Sequence, residues 1–492
     1  MSAAVDSRSQ ATVLRSPEAT NGDINGHVES GDRWDELFLP PPLRIEDRSR
    51  AQKIEARLSG LILGGHTLRR VAETFEREME LGLTRNPKKP SSLQMENTFV
   101  PELPNGTEEG KFLALDLGGT NFRVLLLEIE NGKLVREDVK QYHISDELRL
   151  APGVDLFNFL ADCVLDFVRS EDMEDEEIPL GFTFSFPMKH TSITSGQLIT
   201  WTKSFKCGGM EGVDVAGLLQ RCLDDRNLKV TVQVLLNDTT GTLVAGAYED
   251  PTVGMAVILG TGSNGCYMEH ASRITQWGGA QHDRVHDVCV DIEWGAFGDN
   301  GCLDFMRTEI DREVDARSLL QTSFTFEKYI GGKYLGDALS VSLAALARAR
   351  LFPAAPAPAA LQTAQLSLFE EENCAGQLTQ TIKVLEQACG TPISEADAQV
   401  AQYVAQVISN RAAQLVSVCI STLLRRMDRP YQAVAVDGSV FKKHPRIRKL
   451  MYRYIGLLAP DHKYSLLAAE DGSGKGSALT AAIAARIAAR ST

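Results

Sequence analysis

The sequence predicts an α/β protein of two related halves with a cleft between them. Three observations carry that expectation. A strand, glycine turn and strand occur twice, at 112–127 and at 255–269. Apolar runs of strand length alternate with segments of helical period, such as 155–170 and 214–225. The chain has 492 residues, enough for two or three domains.

Composition narrows the class. The apolar fraction is 43% and the charged fraction 24%, ordinary for a globular protein. A net charge of −14 argues against nucleic acid as the main partner. Nine cysteines lie between Cys163 and Cys419, with no Cys-x-x-Cys pair and no Cys/His group at zinc spacing. Reduced thiols and a cytoplasmic location are expected. No apolar run reaches the ~18 residues of a membrane span. Residues 1–33 lack the apolar segment of a secretory signal and are rich in Ser, Asn, Gly and Asp, so a disordered tail is expected there.

Along the chain, 46–85 reads as helical, with Ile54, Leu58, Ile62, Leu68, Val71 and Phe75 on one period. Prolines at 87, 90, 101 and 104 mark a loop. KFLALDLGG, NFRVLLLEIE and KLVREDVKQYHI then read as three antiparallel strands, broken at Gly118-Gly119-Thr120 and at Asn131-Gly132. LGFTFSFP is a strand ending at Pro187, and VTVQVLLND a buried strand stopping at Asn237-Asp238. A helix is expected over 240–249, and MAVILG is a further strand. Residues 334–351 and 396–427 read as long helices. LFPAAPAPAALQTAQLSLFEEENC between them reads as a loop or poorly ordered insert, and KGSALTAAIAARIAAR as a terminal helix.

Several motifs carry chemistry. Asp116-Leu-Gly118-Gly119-Thr120-Asn121-Phe-Arg123 sits at a strand–turn–strand junction. Its glycines let backbone amides approach an anion, and Asp116 can hold a magnesium ion through water. The same string also fits a plain β-turn with a surface arginine. Gly260-Thr261-Gly262-Ser263-Asn264-Gly265 matches G-x-G-x-x-G, but Cys266-Tyr267-Met268 continues as strand where a dinucleotide site needs a helix. A second phosphate-binding hairpin fits better. Gly472-Ser-Gly-Lys475-Gly476 is not a Walker A loop, because Gly476 stands where Ser or Thr must follow the lysine. Asp238 ends a buried strand, where it suits either a general base or a helix cap. Trp201-Thr202-Lys203, Glu293 and Glu327 supply the hydroxyl, ammonium and carboxylate groups that a sugar's hydroxyls would need.

Taken in order, LALDLGGTNFRV, GFTFSFP, WTKSFK, NDTTGT, LGTGSNGCYMEH, EWGAFGDNG, FEKYIGGKYLGD, VDGSVFKKHP and EDGSGKGSAL resemble the hexokinase/glucokinase family. The match runs from about Met95 to the C-terminus, and more weakly from residue 46. The resemblance implies a two-domain actin-like ATPase (ribonuclease H-like) sugar-kinase fold with an interdomain cleft. The large domain would hold 34–96 and 238–475, the small one 97–237 and 476–492. It implies ATP and Mg²⁺ as cofactors, and phosphorylation of D-glucose or a related hexose at the 6-hydroxyl, the first step of glycolysis.

The hexose would meet Ser185, Thr202, Lys203, Asn237, Asp238, Asn264, Glu293 and Glu327. Asp238 would be the base, and Lys203 would neutralise the moving phosphoryl. ATP would meet Asp116, Gly118, Gly119, Thr120, Asn121, Arg123, Thr261, Gly262, Gly332, Asp437, Gly438, Ser439 and Ser473. Asp116 would orient the magnesium through water.

Some positions depart from the family pattern. Ser204 replaces a usual glycine, Asp291 a frequent asparagine, and Gly265 and His270 a common alanine and glutamate. The Ala/Pro insert replaces a Phe-x-Thr-x-x-x-Ser stretch that reaches the nucleotide in relatives. Two other functions share the fold: a non-catalytic hexose sensor, and an ATPase of the chaperone or filament kind. The first needs the base or a phosphate loop lost, and the second leaves Trp201-Thr202-Lys203, Glu293 and Glu327 unexplained.

Overall fold

The computed structural model describes residues 31–118, 121–201, 205–277, 287–470 and 472–490. Two sheets dominate it. The first is built from β2 (Gly110–Leu117), β3 (Asn121–Glu130), β4 (Lys133–His143), β5 (Ile178–Phe184) and β8 (Val230–Leu236), in the order β4-β3-β2-β5-β8. Its first three strands form an antiparallel meander, and β5 and β8 add in parallel on the far side of β2. The second contains β1 (Glu96–Asn97), β9 (Val253–Leu259), β10 (Ser263–His270), β11 (Asp287–Asp291), β12 (Tyr431–Asp437) and β13 (Lys463–Ala468), in the order β1-β11-β10-β9-β12-β13. Here β9, β10 and β11 form the meander, and β12 and β13 add in parallel. Without the short β1, the two sheets have one topology. The likeness of the two strand–turn–strand units therefore extends to the strand order of whole sheets. A hairpin of β6 (Met188–Ser192) and β7 (Ser195–Leu198) leaves the first sheet after β5.

Three apolar clusters fill the layers. One lies around helix Glu395–Met427, whose residues from Ala398 to Leu424 are almost all buried. That helix is long and apolar enough to cross a membrane by length and composition, but its apolar stretch is wholly buried in protein. A second cluster covers the first sheet on the side of helix Gly153–Ser170. The third joins the sheets: Leu243, Val244, Leu479 and Ile483 from two helices meet Val234, Leu236, Ala256 and Ala435 from strands. Those helices, Asp238–Glu249 and Gly472–Arg490, cross with almost no space between backbones. A Cβ on Gly476 would stand 1.9 Å from the carbonyl oxygen of Gly241. Only glycine lets the helices meet so closely.

Three expectations need correction. Residues 46–85 form two helices, Arg48–Leu58 and Gly65–Leu83, separated by a 3₁₀ turn at Ser59–Leu61. Gly60, Gly64 and Gly65 weaken the helix where it breaks. The Ala/Pro segment is irregular only to residue 362. Helix Thr363–Ala375 follows, with a reciprocal Gln362/Gln365 capping box. It buries Leu366 and Phe369, and the fully buried Glu370 pairs with Arg446 at 2.7 Å. Composition hid those tertiary partners. The helix expected from 240 begins at Asp238, and Asn237 caps it. Strands β11, β12 and β13 and the β6–β7 hairpin were not assigned from the sequence.

Candidate active site

The parallel strands point their carboxyl ends at one gap, where ligands collect in α/β sheets. In the first sheet, register pairs Leu117 with Phe184 and Thr183 with Leu236. Gly118, Ser185 and Asp238 therefore leave three neighbouring strands at nearly the same height. In the second sheet, Ile258 pairs with Asp437, which sets Gly260 beside Gly438.

At one end of the gap stands an acid–amide cluster. Asn237 donates from Nδ2 to Glu293 Oε1 at 3.2 Å. Asn264 donates from Nδ2 to Asp291 Oδ1 at 2.7 Å and to Glu293 Oε1 at 3.2 Å. Its own Oδ1 accepts the amide of Gly265 at 2.7 Å, which orients the side chain. Glu327, first residue of helix Glu327–Ile330, accepts the amide of Ser263 at 3.0 Å. Trp294, fully buried, donates to Ser263 Oγ at 3.1 Å and backs the group. Glu293 is held at φ 54°, ψ 50°, a left-handed conformation that costs a non-glycine residue energy. Loss of water, then the charges of Asp291 and Asp238, hold the Glu293 carboxyl well above the usual carboxylate range. Asp291 is also raised, first by burial. Neutral amides and like charges crowd in one place, which is the chemistry of a site for a neutral polyol.

The other end is built for a charged group. Asp116 is the next-to-last residue of β2, paired to Arg123 across the β2–β3 hairpin and accepting Ser473 Oγ–H at 2.9 Å. The Ser473 carbonyl in turn accepts Thr183 Oγ1 at 2.9 Å. Across the gap, the carbonyls of Gly260 and Thr261 accept the amides of Gly332 and Lys333 at 2.8 and 2.9 Å, tying the turn to helix Gly332–Arg348. Gly262 lies against Glu327, where a Cβ would be 2.5 Å from Oε2. Gly438 has φ 112°, and a Cβ there would strike the Leu259 carbonyl carbon at 2.4 Å. Asp437 pairs with Lys442 at 2.6 Å, and Ser439 is exposed on the short helix Ser439–Lys443.

Ser185 Oγ is buried beside Gly118 and has no hydrogen-bond partner among the described residues, so a ligand hydroxyl there would satisfy it. Gly119, Thr120, Thr202, Lys203 and Ser204 lie outside the described residues, as does the side chain of Asn121. Trp201 leads into 202–204 and is anchored by Nε1 on the Cys207 carbonyl at 2.9 Å and by packing on Phe186 and Phe205. Two residues of the site escape sequence reasoning. Asp291 reads there only as a departure from the family pattern. Thr363 reads as part of the insert, yet its hydroxyl bonds the Gly332 carbonyl and accepts the Gly336 amide at 3.1 Å. The stretch expected to be replaced persists as Leu361-x-Thr363-x-x-x-Ser367, with leucine for phenylalanine. That spacing was the available signal.

Hexokinase family models match the chain over residues 53–248 and 254–483. A hexokinase from Schistosoma mansoni, solved in complex with glucose, superposes with TM-score 0.82 at 35% identity, covering 89% of this chain and 100% of that one. The chain belongs to the hexokinase family. A second hexokinase crystal structure gives TM-score 0.76 at 28% identity, covering 89% of this chain and 100% of that chain. Among hexokinase sequences, Hexokinase-2 of Rattus norvegicus is 35% identical over 457 residues, 90% of this chain and 49% of the relative. Hexokinase-1 of the same species is 38% identical over 451 residues, 89% and 48%. This hexokinase-family chain thus spans about half the length of the curated relatives it matches.

Proposed function

We propose that this protein transfers the γ-phosphoryl group of ATP to the 6-hydroxyl of D-glucose and related hexoses. One observation carries the reading. Asn237, Asn264, Glu293 and Glu327 converge from four separate chain segments beside Asp238, at the carboxyl ends of the parallel strands. The glucose bound by the Schistosoma mansoni relative supports the same ligand class here.

Phosphoryl transfer depends on positioning and charge neutralisation more than on covalent chemistry. Asp238 would accept the proton of the attacking hydroxyl, because Asn237 performs the helix cap that could otherwise occupy an aspartate there. The asparagines and glutamates would fix the sugar ring, and Ser185 would take a further hydroxyl. Lys203 would face the moving phosphoryl. Gly118 to Asn121, Arg123, Thr261, Gly332, Gly438 and Ser473 would border the nucleotide, joined by Thr363.

Asp116 suits magnesium held through water. It presents one carboxylate, and among the described residues no group of three or more His, Cys, Asp or Glu forms a metal site. Mg²⁺ keeps most of its waters and takes few protein ligands. When bound, the ion would neutralise phosphate charge.

A coupled assay with ATP across glucose, fructose, mannose, glucosamine and N-acetylglucosamine tests the reading. ATP consumption dependent on added hexose is the expected result. Hexose binding without turnover would make the chain a sensor, and sugar-independent ATP hydrolysis would remove the sugar site altogether.

A further inference from the structure

Glu327 stands on a helix of four residues, Glu327–Ile330, a single turn too short to hold its own direction. The two residues after it anchor it. Lys328 is 5% exposed, and its ammonium places all three donors inside the protein. They go to Asp315 Oδ1, to the Leu320 carbonyl at 2.6 Å and to the Ser323 carbonyl at 2.7 Å. Asp315, from helix Glu309–Arg317, also accepts the Thr322 amide at 3.0 Å and Arg307 Nη2 at 2.8 Å. Tyr329 carries the guanidinium of Arg411 over its ring, 4.6 Å from the centroid, and Arg411 binds both oxygens of Asp311 at 2.6 and 2.9 Å.

The segment 318–326, which leads into Glu327, is shaped by the same contacts. Thr322 and Phe324 are left-handed, at φ 62° and 56°, which costs non-glycine residues energy. Hydrogen bonds offset that cost. Asp315 takes the Thr322 amide, and Asp299 takes the amides of Phe324 and Thr325 at 2.9 and 2.8 Å, one on each oxygen. Asp299 follows the 3₁₀ turn Trp294–Ala296, whose cap is Glu293, and its own amide donates to the Ala296 carbonyl at 3.0 Å. One carboxylate thus ties the chain after Glu293 to the chain before Glu327. The two segments also pack closely: a Cβ on Gly295 would lie 3.3 Å from Phe324 Cδ1 and 3.6 Å from Glu327 Cβ.

We propose that Lys328 and Asp299 are positioning residues for the hexose. Together they fix how Glu327 stands relative to Glu293, and through those two carboxyl groups the grip on the ring hydroxyls. They act through the glutamates without touching the sugar. A hydrogen bond weakens steeply with poor angle and distance, so a carboxyl moved by about 1 Å loses its hydroxyl while the rest of the site stands. This rests on the hexokinase reading above, in which Glu293 and Glu327 meet the hexose.

The test uses the full chain, with the Kd for D-glucose from calorimetry and the KM for ATP from the coupled assay. Lys328→Met is expected to weaken glucose binding about 10–100-fold and Asp299→Ala about 3–10-fold, with the KM for ATP moving less than about twofold. Asp299→Asn, which keeps one acceptor oxygen, falls between Asp299→Ala and the unmodified protein. Added to Glu327→Ala, either Lys328→Met or Asp299→Ala is expected to weaken glucose less than about twofold further, because the group it positions is gone. A residue that only stabilises the fold would multiply its loss with that of Glu327→Ala, or shift both substrates alike. Either result overturns the proposal. Asp299 is exposed, so if Lys328→Met does not fold, unchanged glucose affinity in Asp299→Ala overturns it alone. Glucose neither bound nor phosphorylated by the unmodified protein removes the hexokinase reading, and this inference with it.

Discussion

The side-chain oxygen of Asn237 accepts the backbone amide of Thr239 at 2.9 Å and so caps the helix that begins with Asp238. Cap and candidate base are thereby separate residues, and their variants separate too. Asp238→Ala is expected to lower kcat by about 10²–10⁴-fold, with glucose binding still measurable by calorimetry. Asn237→Ala loses the cap, about 1 kcal/mol of stability. It also loses a donor to Glu293, so both Tm and glucose affinity fall. Full turnover in Asp238→Ala would contradict the assignment.

Asp291 has a signature in stability. Burial raises its carboxyl above the unfolded value, so the charged form is disfavoured in the fold. The Asp291 contribution to stability is full below the unfolded pKa of about 4 and declines as pH rises toward the higher value in the fold. Asp291→Asn removes that decline. Its Tm advantage over the unmodified protein is expected to grow from acid to alkaline pH in thermal melts, and a constant difference would count against the buried acid.

Helix Thr363–Ala375 is anchored by Glu370 on Arg446, both oxygens of the carboxylate engaged at 2.7 and 2.8 Å. Glu370→Ala leaves the guanidinium without its carboxylate, with only Asn410 Oδ1 still accepting from it among the described residues, and is expected to cost about 3–5 kcal/mol in chemical denaturation. A cost near zero would mean the segment contributes little to the fold.

Thr363 ties the start of that helix to Gly332 and Gly336. Losing a neutral hydrogen bond of about 0.5–1.5 kcal/mol, Thr363→Val is expected to raise the KM for ATP by roughly 2–10-fold. The KM for glucose should not move. Equal changes in both constants would show general loosening instead of a nucleotide-side effect.

The contact of Gly476 with Gly241 gives a stability test far from the acids. Gly476→Ala drives a methyl into a backbone carbonyl and is expected to destabilise by about 1–3 kcal/mol, read as a lower Tm.

Much of this site was legible because its residues end strands or sit in glycine turns. Asn237-Asp238 was visible as the stop of an apolar run, and Gly260 to Gly265 as a turn followed by strand. Glu293 and Glu327 stand out as acids in apolar or glycine-rich surroundings, but that says nothing about which amides they will meet, so their place in one site comes with the resemblance. Asp291 read as a departure, because its hydrogen-bond partner Asn264 is 27 residues away. Thr363 was hidden by the alanines and prolines before it.

By itself, the sequence determined the alternation of strands and helices, the two glycine turns of similar shape, and the identities of the carboxylates and amides. Those follow from local rules: period, turn chemistry and spacing. Tertiary structure alone decided that the two sheets share one strand order, that Gly476 lets two helices touch, and that Glu370 finds Arg446. It also decided that Asp291 and Glu293 meet at the amide of Asn264. Each depends on long-range packing, which brings distant residues together and excludes the water that would otherwise keep their charges apart.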